Sequence, residues 1–140
     1  MKVLLSYDGS DCSERAVKYV ASRLNKQARA LRLSLLYVDI PMLERVVESL
    51  GEDTVARLHQ ENTDFVLKKA RARLNRSKVS FKEIHRVGNP AHWISELAEK
   101  SRFDLVVMGS HGRTALGSLF LGSVTTRVLA ECKVPVLVVR

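Results

Sequence analysis

The sequence predicts an α/β fold: an open five-stranded parallel sheet in the order 3-2-1-4-5, with helices on both faces. Three observations carry the prediction. Short apolar runs of strand length alternate with stretches of helical periodicity along all 140 residues, the order that parallel strands joined by right-handed crossovers require. The run from Leu31 to Ile40 has a continuous apolar centre, as strands covered on both faces do. Four of the seven glycines fall between Met108 and Ser123, directly after the apolar run "DLVV", and an unusually long connection of this kind tends to have a function.

The first strand is "KVLLSY", Lys2 to Tyr7. Asp11 and Glu14 then stand in a capping-box relation, and Ala16, Val17, Val20, Ala21 and Leu24 form the inward stripe of a first helix that runs to about Asn25. "LRLSLLYVDI" is the second strand, ended by Pro41. A helical pattern follows from Met42 to about Ser77, with a break expected around Gly51 to Thr54. "VSFKEIHRV", Val79 to Val87, alternates imperfectly and carries charges, which suits an edge strand. Asn89 and Pro90 are a cap and a first-turn residue, so a helix with Ala91, Ile94, Leu97 and Ala98 on its inner face follows and ends near Lys100. "DLVVM" is the fourth strand, a helix spans roughly Gly122 to Cys132, and "VPVLVV" is the fifth strand. No linker or internal repeat interrupts the pattern, so residues 1–140 are expected to form a single domain.

Composition narrows the function classes. Hydrophobic residues make up 46% of the chain, which excludes a disordered one. No apolar run approaches the roughly 20 residues of a membrane span, and "MKVLLSYDGS" is too short a run for a secretion signal. Cys12 and Cys132 have no metal-ligand or disulfide spacing, and a reducing cytoplasm is the expected location. The net charge of +8 favours anionic partners without choosing among them. Six of the eleven residues in "KKARARLNRSK", Lys68 to Lys78, are basic. No aromatic residue is interleaved within that segment to stack bases, so it reads as a solvated helix face rather than a nucleic-acid footprint.

In a sheet of the predicted order the first and fourth strands lie side by side and send their connections toward opposite faces, and ligands bind in the crevice beyond their carboxyl ends. Asp8 and Gly109 then face each other across it. Glycine adopts positive φ readily and lets a backbone amide approach a ligand with no Cβ in the way; successive amides of this kind make an anion nest. Gly122 and Ser123 open the last helix, whose first amides lack intrahelical partners and whose dipole places about half a positive charge there. A phosphate suits that position. Ser110, Thr114, Ser123 and Thr125 add hydroxyl donors, and Arg113 adds a full charge. Residue chemistry alone reaches as far as an anion or a nucleotide. The segment Gly117 to Ser123 has the glycine spacing of a P-loop but serine where its lysine belongs, and the first strand-to-helix turn lacks G-x-G-x-x-G, which leaves nicotinamide chemistry without support.

The spacing Gly109-x-x-Gly112, nine residues, then Gly122-Ser123 resembles the G-2x-G-9x-G-[S/T] signature of the nucleotide-binding branch of the universal stress protein family. The resemblance covers the whole chain through "YDGS", "YVD", "GNPA", "DLVVMGSHGRT" and the closing "VPVLVV". It implies ATP or a related adenine nucleotide in the crevice and a homodimer formed through the last strand. By position, it implies that Asp8 and the backbone at Val38 hold the adenosine end and that Met108 lines the pocket. Gly109, Ser110, His111, Gly112 and Arg113 are then expected to wrap the phosphates and ribose, and Gly122, Ser123, Val124 and Thr125 to take the phosphate tail.

The residues favour binding over catalysis. His111 has no carboxylate beside it in sequence to make it a general base. His59, His85 and His92 have no paired ligand spacing, so no resident metal site is expected, and magnesium is expected only as a companion of ATP. An ATP pyrophosphatase is the enzymatic alternative, from the likeness of "SYDGSDCS" to an SGGxDS loop; Tyr7 and Asp8 replace the two glycines that admit pyrophosphate there. The leading expectation is an ATP-binding regulatory module of stress response with slow turnover at most, acting through a homodimer or through an unknown protein partner.

Overall fold

The computed structural model describes residues 1–28, 30–112 and 121–140. Five parallel strands, β1 (Lys2–Ser6), β2 (Arg32–Asp39), β3 (Phe81–Val87), β4 (Leu105–Gly109) and β5 (Val136–Val139), form one sheet in the order β3-β2-β1-β4-β5. This is the predicted topology. β1 lies centrally, with Ser6 opposite Leu36 of β2 and Leu5 opposite Val107 of β4.

Alternate residues of a strand point to opposite faces, and the sheet therefore has two cores. Val3, Leu5, Tyr7, Leu35, Tyr37 and Val107 are buried beneath α1 (Asp11–Tyr19) and the long α4 (Glu52–Arg76), which contribute Ala16, Val17, Leu67, Ala70 and Leu74. Leu4, Leu36, Val106 and Met108 are buried on the other side, beneath α5 (Pro90–Lys100) and α6 (Ser123–Glu131), which contribute Ala91, Ile94, Ala98 and Val128. The chain changes face between β3 and β4, and the crevice opens where β1 and β4 end.

Local departures from the predicted boundaries have physical causes. Helix α1 continues through a π-helical turn, Val20–Leu24, into the short α2 (Asn25–Gln27). Its cap is Ser10, whose hydroxyl accepts from the Ser13 amide, and not the expected Asp11–Glu14 box. Glu14 turns away because its carboxylate accepts from the Tyr7 hydroxyl and lies 3.8 Å from Arg73 Nε. The expected break in the second helical region falls at Gly51 alone, at φ 80°, between α3 (Glu44–Leu50) and α4. β3 begins at Phe81 and not Val79, because the Val79 amide is used to close α4 on the Leu74 carbonyl at 3.0 Å. As predicted, β3 is an edge strand with mostly exposed side chains, and Asn89 caps α5 by accepting from the His92 amide. Among the described residues no helix is long and apolar enough to cross a membrane.

Candidate functional site

At the carboxyl ends of β1 and β4 lies a small cleft of about 90 Å³, open to solvent. Asp8, Val38, Met108, Gly109, His111, Gly112, Val124 and Thr125, eight of the residues singled out in the sequence, line it. Ser6, Tyr7, Ser13 and Pro90 line it as well and were missed. Ser6 and Tyr7 were legible as the end of the first strand; Ser13 and Pro90 enter because the starts of α1 and α5 both reach the cleft.

One wall is the turn between β1 and α1. Asp8 Oδ1 accepts from the Ser10 amide at 3.0 Å and the Ser10 hydroxyl at 2.6 Å, an Asx turn that seats the helix cap. Gly9 at φ 83° makes this turn possible. Ser10 Oγ also lies 3.2 Å from the His111 carbonyl and so ties this wall to the opposite one. Behind Asp8, Tyr7 is buried with its hydroxyl on Glu14; burial, followed by the bond and the charge of Glu14, pushes the phenol well above its usual range. Tyr7 is therefore a neutral donor at all ordinary pH.

The other wall is the end of β4. A Cβ on Gly109 would stand 2.8 Å from the Cys12 carbonyl carbon, Cys12 Cβ and the Ser13 nitrogen, so β4 and the first turn of α1 meet backbone to backbone. A Cβ on Gly112 would stand 3.0 Å from Asp8 Oδ2. The described glycines of this segment, Gly109, Gly112 and Gly122, have no positive φ, contrary to expectation. Their role is close approach, and the positive-φ glycine of the cleft is Gly9. Ser110 does not line the cleft: its amide extends the ladder to the Val139 carbonyl, and its hydroxyl lies 2.8 Å from His111 Nδ1 and 3.5 Å from Cys12 Sγ. Among the described residues His111 Nε2, which is buried, has no hydrogen-bond partner. Arg113, Thr114 and Gly117 lie outside the described residues.

Helix α6 closes the third side. Gly122 is its cap residue and makes no side-chain cap bond; its amide bonds the Ser110 carbonyl at 2.9 Å. A Cβ on Gly122 would stand 3.2 Å from His111 Cα. The amides of Ser123, Val124 and Thr125 are the first-turn donors that a helix leaves without intrahelical partners. Ser123 is exposed outside the cleft lining. The Thr125 hydroxyl, expected as a ligand donor, is instead buried and bonded to the Gly109 carbonyl at 3.0 Å. Among the described residues no group of three or more His, Cys, Asp or Glu side chains is gathered to hold a metal.

Beside the cleft, on the α4 side of the sheet, Asp39 gathers a polar cluster. His59 Nδ1 lies 2.7 Å from its Oδ2, while Asn62, Tyr37 and the Ile40 amide donate to its Oδ1. Burial raises the Asp39 carboxyl, but the donors from Asn62, His59, Tyr37 and Ile40 outweigh it and hold the group below its usual range.

First-turn amides of α6 stand at a cleft that Val38, Met108, His111, Val124 and Thr125 help to line. Such a site fits an anion attached to an apolar group. The model of the universal stress protein family matches residues 1–140. A universal stress protein of Thermus aquaticus is 35% identical over 138 residues, covering 99% of this chain and 97% of its own. The solved structure of MJ0577, from Methanocaldococcus jannaschii, superposes with a TM-score of 0.79 at 33% identity, covering 99% of this chain and 94% of its own. A universal stress protein solved in complex with cAMP superposes with a TM-score of 0.71 at 26% identity, covering 100% and 97%.

Proposed function

The chain belongs to the universal stress protein family, and from that premise we propose that it is an adenine-nucleotide-binding regulatory protein of stress response. ATP, with magnesium held mainly by its phosphates and water, is the ligand. Residues 1–140 act as one cytoplasmic nucleotide-binding domain, and a homodimer joined through β5 is the assembled form. The observation that carries this reading is the open first turn of α6 standing at the cleft between β1 and β4, with His111, Val124 and Thr125 in its lining. The cAMP complex of a relative at 26% identity adds support for an adenine nucleotide.

In this reading Asp8 and the main chain at Val38 hold the adenosine end, and Met108 and Val124 pack against it. Gly109 to Gly112, followed by Arg113, wrap the ribose and phosphates. The amides of Ser123, Val124 and Thr125 receive the phosphate tail at the positive end of α6, where Gly122 leaves room for it. His111 is paired with the Ser110 hydroxyl and not with a carboxylate, which supports binding with slow hydrolysis at most, since no general base is prepared at that imidazole. The β5 edge offers unpaired main-chain groups to a second copy.

Mass spectrometry of the purified protein for carried nucleotide, followed by calorimetry with ATP, ADP and AMP, tests the reading. One adenine nucleotide per chain is expected, and no binding of any of the three rejects it. Gly122→Val drives a branched side chain into His111 and abolishes binding, while far-ultraviolet circular dichroism stays unchanged. ATP affinity unaltered in that variant defeats the site assignment.

A further inference from the structure

We propose that the outward face of α4 from Phe65 to Arg76 is a docking surface for an acidic helical segment of another protein, one that brings an apolar residue to cover Phe65. This goes beyond the nucleotide reading and does not depend on it. Phe65 is 80% exposed, whereas Val55, Val66, Leu67 and Leu74 of the same helix are buried. Lys68, Lys69, Ala72 and Arg76 follow Phe65 at steps of three, four, seven and eleven residues, and all are exposed. Residues so spaced share one helical stripe, here about 16 Å long at 1.5 Å per residue.

Among the described residues, Lys68, Lys69 and Arg76 have no ion-pair partner, while Arg71 is held by Asp64 and Glu83. The stripe is thus an unshielded row of cations with one aromatic ring at its end and small Ala72 admitting close approach. A second copy of this chain is repelled, because a twofold contact here sets like charges against each other on a chain of net charge +8. A single ring stacks a single base, which disfavours a nucleic-acid strand. One apolar side chain is too little to anchor the face in a bilayer. Carboxylates spaced along a helix match the cations, and an aromatic buried in a partner's apolar notch is the usual energetic centre of such a contact.

The test uses the full chain and a fluorescent 16-residue peptide with leucine at heptad spacing and glutamate elsewhere. Controls are the same peptide with lysine for glutamate, a U20 RNA and phosphatidylserine vesicles. The acidic peptide is expected to bind, with affinity falling as salt rises. Phe65→Ser is expected to weaken it about tenfold, a loss typical of a contact centre, and Lys68→Glu with Lys69→Glu at least as much. Arg102→Glu with Lys133→Glu, an equal charge change at exposed positions on the α5 and α6 side of the sheet, leaves binding within about twofold. The proposal is overturned if the peptide does not bind, if Phe65→Ser changes nothing, if the distant reversal does equal harm, or if RNA or vesicles show the Phe65-dependent binding instead.

Discussion

His59 and Asp39, 20 residues apart in sequence, meet at 2.7 Å across the seam between α4 and the end of β2. The pair is almost wholly shielded, and Asp39 is one residue away from Val38 in the cleft. Replacing Asp39 with alanine removes the acceptor that His59, Asn62, Tyr37 and the Ile40 amide share and is expected to cost about 3 kcal/mol, read by urea denaturation at neutral pH.

The same carboxylate sets an acid dependence. Its folded pKa lies below the unfolded value, so its contribution is complete above the unfolded pKa of about 3.9. It is lost as pH falls through the lower folded value. Asp39→Asn should therefore flatten the decline of stability below about pH 4 while lowering stability at pH 7. A decline as steep as in the parent protein, followed by denaturation across pH 2 to 6, would show that other carboxylates carry it.

Gly109→Ala forces the first turn of α1 away from β4, because the new methyl meets Cys12 and Ser13 main-chain atoms at 2.8 Å. Overpacking of this kind costs about 1–3 kcal/mol. A lowered melting temperature together with weakened ATP binding is expected, since both walls of the cleft shift.

Thr125→Val keeps the side-chain shape and removes the bond to the Gly109 carbonyl. A loss of about 1–2 kcal/mol in stability is expected. ATP affinity should change less than twofold, because the hydroxyl is already occupied. A large loss of affinity in calorimetry would return the hydroxyl to the ligand.

Asp8→Ala releases the Ser10 cap and one wall contact. Loss of the cap arrangement is expected to cost about 1 kcal/mol of stability. ATP binding should weaken, but less than in Gly122→Val, which blocks the cleft itself; calorimetry on both variants gives the order.

The sheet order was legible because alternation of strand and helix periods leaves few topologies, and Asn89-Pro90 and Gly51 punctuate the chain by local chemistry alone. The lining of the cleft was legible from glycine spacing and resemblance. Long-range competition decided the rest. Glu14 is drawn from its local cap by Tyr7, and Thr125 is taken by a strand carbonyl 16 residues away. Gly109 was read as an opening toward ligand, but it is equally a contact with α1 that only the packed pair reveals. Phe65 stands just before the basic segment, and only the turn of α4 brings it onto the same face.

The two borders of the sheet are chemically unlike. β3 presents Lys82, Glu83 and Arg86, a charged margin that discourages strand addition, whereas β5 is "VLVV". Copies that pair symmetrically along β5 turn only charged margins outward, so self-association by this route stops at two and cannot propagate into a filament.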